Sequence, residues 1–170
     1  MKHLNLILII LILSCCPLHP AYAFFDKDIR LLTMRDGLAD NTIPCIYKDE
    51  DGFMWFGTDD GLSRYDGKTI QNFKPADTYA SVAAIVRLSD DFLGIVSDGY
   101  LYYFNRKQET FLPIHTESDT AIGVFNVLPA DNSSFWGISG NRLILCQWEI
   151  RQGKEEEKTA VRVRIQKTFQ

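Results

Sequence analysis

The stretch from Ile43 to Phe73 reads IPCIYKDEDGFMWFGTDDGLSRYDGKTIQNF. It contains four short apolar or aromatic runs, and each gap between them holds an Asp-Gly pair. Asp-Gly between such runs is a strong hairpin signal, because tight turns require positive φ angles that glycine adopts without steric cost. We therefore predict a four-stranded antiparallel sheet, with strands at Ile43–Tyr47, Phe53–Thr58, Leu62–Tyr65 and Thr69–Phe73.

The second of these runs, Phe53–Phe56, is apolar at every position instead of alternating. A continuous apolar run indicates a strand that is covered on both faces. A single sheet cannot cover both of its own faces, whereas a stack of sheets can. The predicted sheet has the size of one β-propeller blade. Pro44 agrees with this, since the innermost strand of a blade is an edge strand, where proline is tolerated.

The middle turn of this unit recurs twice along the chain. Segments 97–101 and 139–143 resemble 59–62, and Gly61, Gly99 and Asn141 follow one another at intervals of 38 and 42 residues. These intervals are typical of propeller blades. We expect Asn141 to replace a glycine at a position with positive φ.

The fold class predicted is therefore all-β, a partial β-propeller of about three four-stranded antiparallel blades. The blade units lie near residues 39–75, 79–115 and 121–170, within a domain that covers residues 24–170. No window after residue 23 keeps a helical periodicity, so we expect no helix there. The strands expected beyond the first unit are Val82–Leu88, Phe92–Val96, Tyr100–Phe104, Ile122–Leu128, Phe135–Ile138 and Leu143–Trp148, and a further strand runs through residues 161–170.

The first 23 residues are typical of an export signal. A basic start is followed by the Leu/Ile-rich run Leu4–Leu13 and by a small-x-small cleavage site at Ala21–Ala23. The apolar run is too short to span a bilayer, which needs roughly 20 residues. We predict cleavage after Ala23 and export to the periplasm. Lipid anchoring through an acylated Cys15 is the alternative.

Composition and charge exclude some partners. The hydrophobic content of 46% suits a folded core, whereas the net charge of −4 and pI near 5.3 offer no basic surface for nucleic acid. Cys45 and Cys146 lie far apart in predicted strands, and their spacing is not that of a metal site. We expect buried single thiols there. A disulfide would require the two strands to meet, which we do not expect.

Three ordered motifs occur between residues 33 and 67. They are Asp-Gly-Leu at Asp36–Leu38, Trp-x-Gly-Thr at Trp55–Thr58 and Arg-Tyr-Asp-Gly at Arg64–Gly67. This segment closely resembles the regulator-propeller repeat of the periplasmic sensor regions of hybrid two-component histidine kinases. The structural motif positions of the repeat are Asp51, Gly52, Trp55, Gly57, Thr58, Gly61, Leu62, Tyr65, Asp66 and Gly67. The second unit lacks the tryptophan, and the third keeps Trp136-Gly137 but loses the threonine.

The resemblance implies a sensor. Propellers of this family lie outside the inner membrane, bind glycan fragments and signal through an immunoglobulin-like domain and a membrane helix to a kinase. We therefore expect an oligosaccharide ligand, no cofactor and no catalytic residue. The expected partners are the remaining blades and the kinase portion of a longer parent protein, with a homodimer as a further option. His115 lies in the loop-like segment 112–116, without the helical context of a phospho-accepting histidine.

The acidic turns suggest two other readings, which their spacing disfavours. A calcium loop that begins at Asp49 would place Phe53 and Met54 where an oxygen ligand and a glycine belong. Asp59 and Asp60 are adjacent in a turn, unlike the two carboxylates that flank a glycosidic bond in hydrolases. We therefore predict no metal. A free-standing exported or lipid-anchored binding protein is the second hypothesis, and a glycan-cleaving propeller is the third.

Loops of many blades together form the ligand site of a propeller, so one piece of a propeller contains only part of that site. Tyr79 and Tyr102 are candidates for stacking on a sugar ring. Removing 23 of the 170 residues leaves 147, which is three blades and part of a fourth at roughly 40 to 45 residues each. Closed propellers contain about four to eight blades. We therefore expect this chain to be the N-terminal piece of a longer protein.

Overall fold

The computed structural model describes residues 29–74, 80–116, 121–151 and 160–169. The chain divides into two compact units, residues 1–31 and 32–170, and nearly all described residues belong to the second. The predicted export signal lies outside the described residues. Within them, no helix combines the length and the apolar character needed to cross a membrane.

The described residues form thirteen strands and one short 3₁₀ helix, Met34–Asp36. The strands are β1 (Cys45–Lys48), β2 (Met54–Thr58), β3 (Gly61–Tyr65), β4 (Ile70–Phe73), β5 (Val82–Arg87), β6 (Phe92–Ser97), β7 (Tyr100–Asn105), β8 (Thr110–Pro113), β9 (His115–Thr116), β10 (Val127–Pro129), β11 (Ser134–Ser139), β12 (Arg142–Arg151) and β13 (Ala160–Phe169). The predicted all-β fold is confirmed, and the short helix is the one departure from the expectation of no helix.

The strands form three sheets. The first contains β1 to β4 and the second β5 to β8, each in chain order with antiparallel neighbours. The third has the order β10-β11-β12-β13-β9. Its fifth strand is a difference from the predicted four, since β9 pairs in parallel with β13, with His115 opposite Arg162. The long β13 presents an edge of backbone N–H and C=O groups, and β9 satisfies part of it.

Two local predictions are wrong. The expected strand Ile122–Leu128 is reduced to β10, and residues 121 and 123 form only isolated bridges to His115 and Tyr100. In the turn between β11 and β12, Gly140 carries the positive φ, at 60°. Asn141 therefore does not replace a glycine there, because glycine already occupies the left-handed position of this turn.

The sheets stack through two apolar clusters. Between the first and second sheets pack Trp55, Leu62, Phe73, Val82, Leu93, Ile95 and Phe104. A larger cluster joins the second sheet to the third and includes Val96, Leu101, Ile114, Phe135, Ile144, Cys146 and Trp148. Successive residues of β6 serve the two clusters in turn, because side chains alternate across a strand. All six residues of β6 are therefore buried.

Residues 33–41, which we call the strap, lie over the outer face of the first sheet. Asn72 Nδ2 donates to the Gly37 carbonyl at 2.8 Å, and the Ala39 amide donates to Ser63 Oγ at 3.2 Å. Leu38 is buried. The 3₁₀ helix at the start of this segment is closed by a capping box, in which Thr33 and Asp36 exchange side-chain and backbone hydrogen bonds. The Asp-Gly-Leu motif thus seals one face of the first sheet.

Candidate functional site

The tryptophan of the repeat motif anchors the first sheet to the second. Trp55 is fully buried, and its ring packs against Phe73 and Phe104 with centroid distances of 6.0 and 5.6 Å. Its Nε1 donates to Asp49 Oδ2 at 2.7 Å. This bond satisfies the one polar atom of the indole ring, which would otherwise be buried without a partner.

Two glycines of the motif permit close backbone approach. A Cβ at Gly57 would lie 2.6 Å from the Val82 carbonyl oxygen and would also overlap Cys45 Sγ, so a larger residue would push the sheets apart. A Cβ at Gly61 would lie 2.6 Å from the Phe73 carbonyl oxygen, and the φ of Gly61 is 117°, in the left-handed range that glycine adopts without strain. Leu62, next in the chain, is fully buried.

The polar residues of the motif close its turns. Thr58 Oγ1 donates to the Gly61 carbonyl at 2.9 Å. Tyr65 Oη donates to the carbonyl of Gly67, whose φ is 97°. Asp66 accepts hydrogen bonds from the Thr69 and Lys68 amides and from the Thr69 hydroxyl, which lowers its pKa to about 2. These contacts stabilise the turns of the sheet. The polar groups of Thr58, Tyr65 and Asp66 are therefore already hydrogen-bonded and have little remaining capacity to bind a ligand.

A polar pocket of about 230 Å³ opens between the first and second sheets, at the edge that holds the β1–β2, β5–β6 and β7–β8 turns. Side chains from both sheets line it. They are Tyr47, Asp49, Glu50, Asp51, Arg87, Ser89, Asp90, Leu93 and Arg106. We call it the junction pocket.

Arg106 fastens the inner wall of the junction pocket. Its guanidinium donates to Asp49 Oδ2 at 2.9 Å, to the Asp51 carboxylate and to the Asp90 carbonyl at 2.7 Å. The Asp49 side chain is only 2% exposed, and its second oxygen accepts from the Phe53 amide at 2.8 Å. Asp49 therefore has a structural role. Its carboxylate links Trp55 of the first sheet to Arg106 of the second through hydrogen bonds.

The rim of the junction pocket is more accessible. Arg87 pairs with Glu50 of the first sheet and with Asp90 of its own sheet, and the Glu50 and Asp90 side chains are 71% and 84% exposed. Tyr47 lines the same pocket, and burial raises its pKa. The rim thus combines charged donors and acceptors with one half-buried aromatic ring, a set of groups that can hydrogen-bond hydroxyl groups.

The residues singled out from the sequence lie elsewhere. Tyr79 is outside the described residues. Tyr102 is half-buried on β7, between Ile95 and Pro113, and packs against the cluster of the first two sheets. Asp59 accepts from Ser81 Oγ at 3.0 Å, and Asp60 pairs with Lys74.

Asp59 and Asp60 belong to the β2–β3 turn, and the junction pocket lies at the opposite ends of these strands, because successive hairpin turns alternate between the two edges of a meander. Sequence reasoning missed the pocket residues Arg87 and Arg106. Arg106 lies 57 positions from its partner Asp49, so no local pattern marks the pair.

Cys45 and Cys146 are both free thiols. Cys45 lies on the innermost strand of the first sheet, whereas Cys146 is buried between the second and third sheets. Burial raises the pKa of each thiol to about 11. Both thiols are therefore protonated at neutral pH and weakly nucleophilic.

Residues 37–60 match the model of the family "Two component regulator propeller". No curated protein matches the chain at a significant level. Among solved structures, the fold is similar to the extracellular domain of what is described as a hybrid two component system from B. thetaiotaomicron, with a TM-score of 0.54 and 18% identity.

That match covers 69% of this chain and 18% of the other, so this chain spans less than a fifth of its length. The matched family segment runs from the strap over the first sheet, through Trp55, to the β2–β3 turn. The resemblance predicted from the sequence is confirmed: residues 37–60 match the two-component regulator propeller repeat, and the described residues fold as a propeller-like stack of sheets.

Proposed function

We propose that this chain is the ligand-sensing propeller segment of a two-component signal-transduction sensor, that it is exported to the periplasm, and that it recognises a glycan fragment. The observation that carries the proposal is the regulator propeller repeat at residues 37–60, embedded in a stack of sheets. The similarity to an extracellular domain of a two-component system supports the same role.

The chemistry of the junction pocket supports a sugar ligand. Four carboxylates and two guanidinium groups line it, so the lining is net negative and disfavours anionic ligands such as phosphates. Neutral hydroxyl groups can both donate to the carboxylates and accept from Arg87. A volume of about 230 Å³ is below the range of about 300 Å³ and above that is usual for drug-sized ligands. The pocket therefore suits one sugar unit of a longer chain.

The role proposed is binding without catalysis. The inner carboxylate Asp49 accepts hydrogen bonds from Trp55, Phe53 and Arg106, so both of its oxygens are engaged in contacts within the protein. Asp59 and Asp60 are engaged by Ser81 and Lys74 at the other edge of the sheet. Phosphotransfer and the rest of the ligand site would come from further blades and a kinase portion in a longer protein.

Titration of the exported chain with a panel of neutral oligosaccharides, followed by calorimetry, tests the proposal. We expect at least one glycan to bind, and we expect Glu50→Gln or Asp90→Asn to weaken binding about tenfold through loss of a charge-assisted hydrogen bond. Asp98→Asn, on the exposed β6–β7 turn at the opposite edge, is the matched control and should bind as the parent does.

Two results would contradict the proposal. Absence of binding across the panel contradicts the junction pocket of this chain as a sugar site, and equal loss in the Asp98→Asn control contradicts the assignment of binding to that pocket. Release of cleaved sugars during the titration would instead favour a glycan-cleaving propeller.

A further inference from the structure

The outward face of the third sheet repeats, position by position, the face that the first sheet buries against the second. The hairpin β2–β3 closes with the pair Thr58 and Gly61, and β11–β12 closes with Ser139 and Arg142. Counting from these closing pairs, Trp136, Leu143 and Phe169 are equivalent to Trp55, Leu62 and Phe73, and Leu143 pairs with Phe169 as Leu62 pairs with Phe73.

The two sets also agree in side-chain geometry. The ring centroids of Trp136 and Phe169 are 5.8 Å apart, and those of Trp55 and Phe73 are 6.0 Å apart. The third sheet therefore carries the same Trp–Phe ring pair that the first sheet uses at its junction with the second.

The two sets differ in what covers them. Trp55 and Leu62 are fully buried and Phe73 is 8% exposed, because β5, β6 and β7 pack over them. Leu143 and Phe169 are 44% and 45% exposed. Beside them, Leu128, Trp136 and Ile138 line an apolar groove of about 70 Å³. Single exposed apolar side chains are ordinary, but a contiguous set of this kind indicates an interaction site.

The equivalent face of the second sheet also packs against another sheet. Its equivalent positions are Gly94, Leu101 and Ile114, and all three are buried in the direction of the third sheet. The Ile114 amide donates to the Leu101 carbonyl at 3.0 Å, which extends the strand pairing to the position that Phe73 holds in the first sheet. In the two junctions described, this face therefore receives the sheet that follows in the chain.

Lys167 predicts one feature of a sheet that would pack on the outward face of the third sheet. Lys167 pairs with Leu145 in the third sheet as Gln71 pairs with Arg64 in the first. Gln71 Nε2 donates to Glu109 Oε2 at 3.0 Å, and Glu109 lies in the β7–β8 turn of the covering sheet. A carboxylate in the same turn of a further sheet would face the ammonium group of Lys167.

We propose that the outward face of the third sheet, formed by Leu128, Trp136, Ile138, Leu143, Lys167 and Phe169, docks a further four-stranded antiparallel sheet. That sheet presents an aliphatic and aromatic face and carries a carboxylate on its last turn, opposite Lys167. The inference rests on the proposed role of this chain as a propeller segment, for which it names the surface and the chemistry of the adjoining partner. Its test measures packing only, so its outcome is separate from that of the glycan titration.

The second sheet of this chain has the required chemistry and serves as the probe. A copy of residues 74–116 is fused after Gln170 of the full chain, and hydroxyl-radical footprinting compares side-chain exposure with and without the fusion. We expect modification of Phe169 to fall about fivefold, the ratio of its 45% exposure to the 8% of Phe73. Ile46, which is 58% exposed on the first sheet, is the internal control and should not change.

Variants of the fusion test the specificity of docking. Leu143→Asp should abolish the protection of Phe169, whereas Lys167→Glu should weaken it and should be rescued by a Lys in place of the copied Glu109. Unchanged modification of Phe169 overturns the proposal, whether the added sheet folds elsewhere or stays unfolded. Protection of Phe169 in the unfused chain that disappears on dilution also overturns it, because a second copy would then be the occupant.

Discussion

At the scale of single residues, the junction between the first two sheets depends on one buried carboxylate. Asp49 accepts from the Trp55 indole, from the Phe53 amide and from the Arg106 guanidinium. A buried ion pair stabilises a protein only while both partners are present, since removal of one leaves an uncompensated charge. Arg106 is therefore expected to matter far more than its exposed neighbours.

Arg106→Met should destabilise the protein by about 3–5 kcal/mol, because the Asp49 carboxylate would remain buried without its counter-charge. Urea denaturation followed by circular dichroism gives the free energy of unfolding. The matched control is Lys107→Met, since the Lys107 side chain is 74% exposed and pairs with the partly exposed Asp91. We expect that control to cost no more than about 1 kcal/mol. Equal losses for the two variants would refute the role assigned to Asp49.

The thiols of Cys45 and Cys146 predict a loss of stability in alkali. The folded-state pKa of Cys45 and Cys146 is about 11, above the ordinary value of 9.0, because burial disfavours the thiolate. A raised folded-state pKa contributes stability that is complete below pH 9 and is lost as the pH rises through 11. Burial also raises the pKa of Tyr103, which adds to the loss in the same direction.

The urea midpoint should therefore fall between pH 9 and 11 in the parent protein. In the double variant Cys45→Ala and Cys146→Ala, the fall should be shallower when each protein is compared with its own midpoint below pH 9. Part of the fall should persist, because Tyr103 still titrates. The same slope in both proteins would show that the thiols do not contribute.

At the scale of elements, strands were predictable wherever an Asp-Gly turn separated them. The turns at Gly52 and Gly67 have positive φ values of 91° and 97°, as the sequence pattern requires. The failures are of another kind. The parallel pairing of β9 with β13 joins residues 47 positions apart, and residues 121 and 123, at the start of the strand expected at residues 122–128, make isolated bridges to His115 and Tyr100 instead of a regular ladder. Such contacts are set by tertiary packing and leave no local signal.

The same limit applies to the candidate site. Trp55 and the glycines could be recognised from their motif, since each has a local structural reason. The junction pocket could not, because Arg87 and Arg106 of one sheet meet Glu50 and Asp49 of another. Only the stacking of the sheets brings these charges together.

The strap formed by residues 33–41 gives a prediction at this scale. Ser63 Oγ accepts from the Ala39 amide and donates to Asn72 Oδ1 at 2.7 Å. Ser63→Ala would leave the Ala39 amide without its acceptor, at a cost of about 1–3 kcal/mol. Hydrogen exchange should then accelerate at residues 37–41 and stay unchanged in β6. Ser133→Ala, at an exposed serine, is the control, and faster exchange in both variants would contradict the strap contact.

At the scale of the whole molecule, β6 couples the two clusters. Ile95 of β6 packs in the cluster of the first two sheets, whereas its neighbour Val96 on the same strand packs in the other, together with Leu101 of β7. A strand shared in this way makes independent unfolding of either junction costly, since opening one side exposes apolar area along the same backbone. We therefore expect the three sheets to unfold together.

Ile95→Ala and Leu101→Ala should each lower the free energy of unfolding by about 2–5 kcal/mol. Both should shift one and the same thermal transition, measured by calorimetry. Ile46→Ala, at an exposed position, should change it by about 0.5 kcal/mol or less. Two separate transitions, each sensitive to only one variant, would show that the sheets are independent.

The strap over the first sheet has a consequence for solubility. Repeating sheets carry a risk of fibres, because a surface that fits the back of the next molecule can add copies without limit. Here the outward face of the third sheet is apolar. The outer face of the first sheet is covered by the strap, whose amide and carbonyl groups already form hydrogen bonds with the side chains of Ser63 and Asn72. An apolar face does not bind a surface whose polar groups are already hydrogen-bonded, so we expect the strap to prevent copies of the protein from adding to one another and forming fibres.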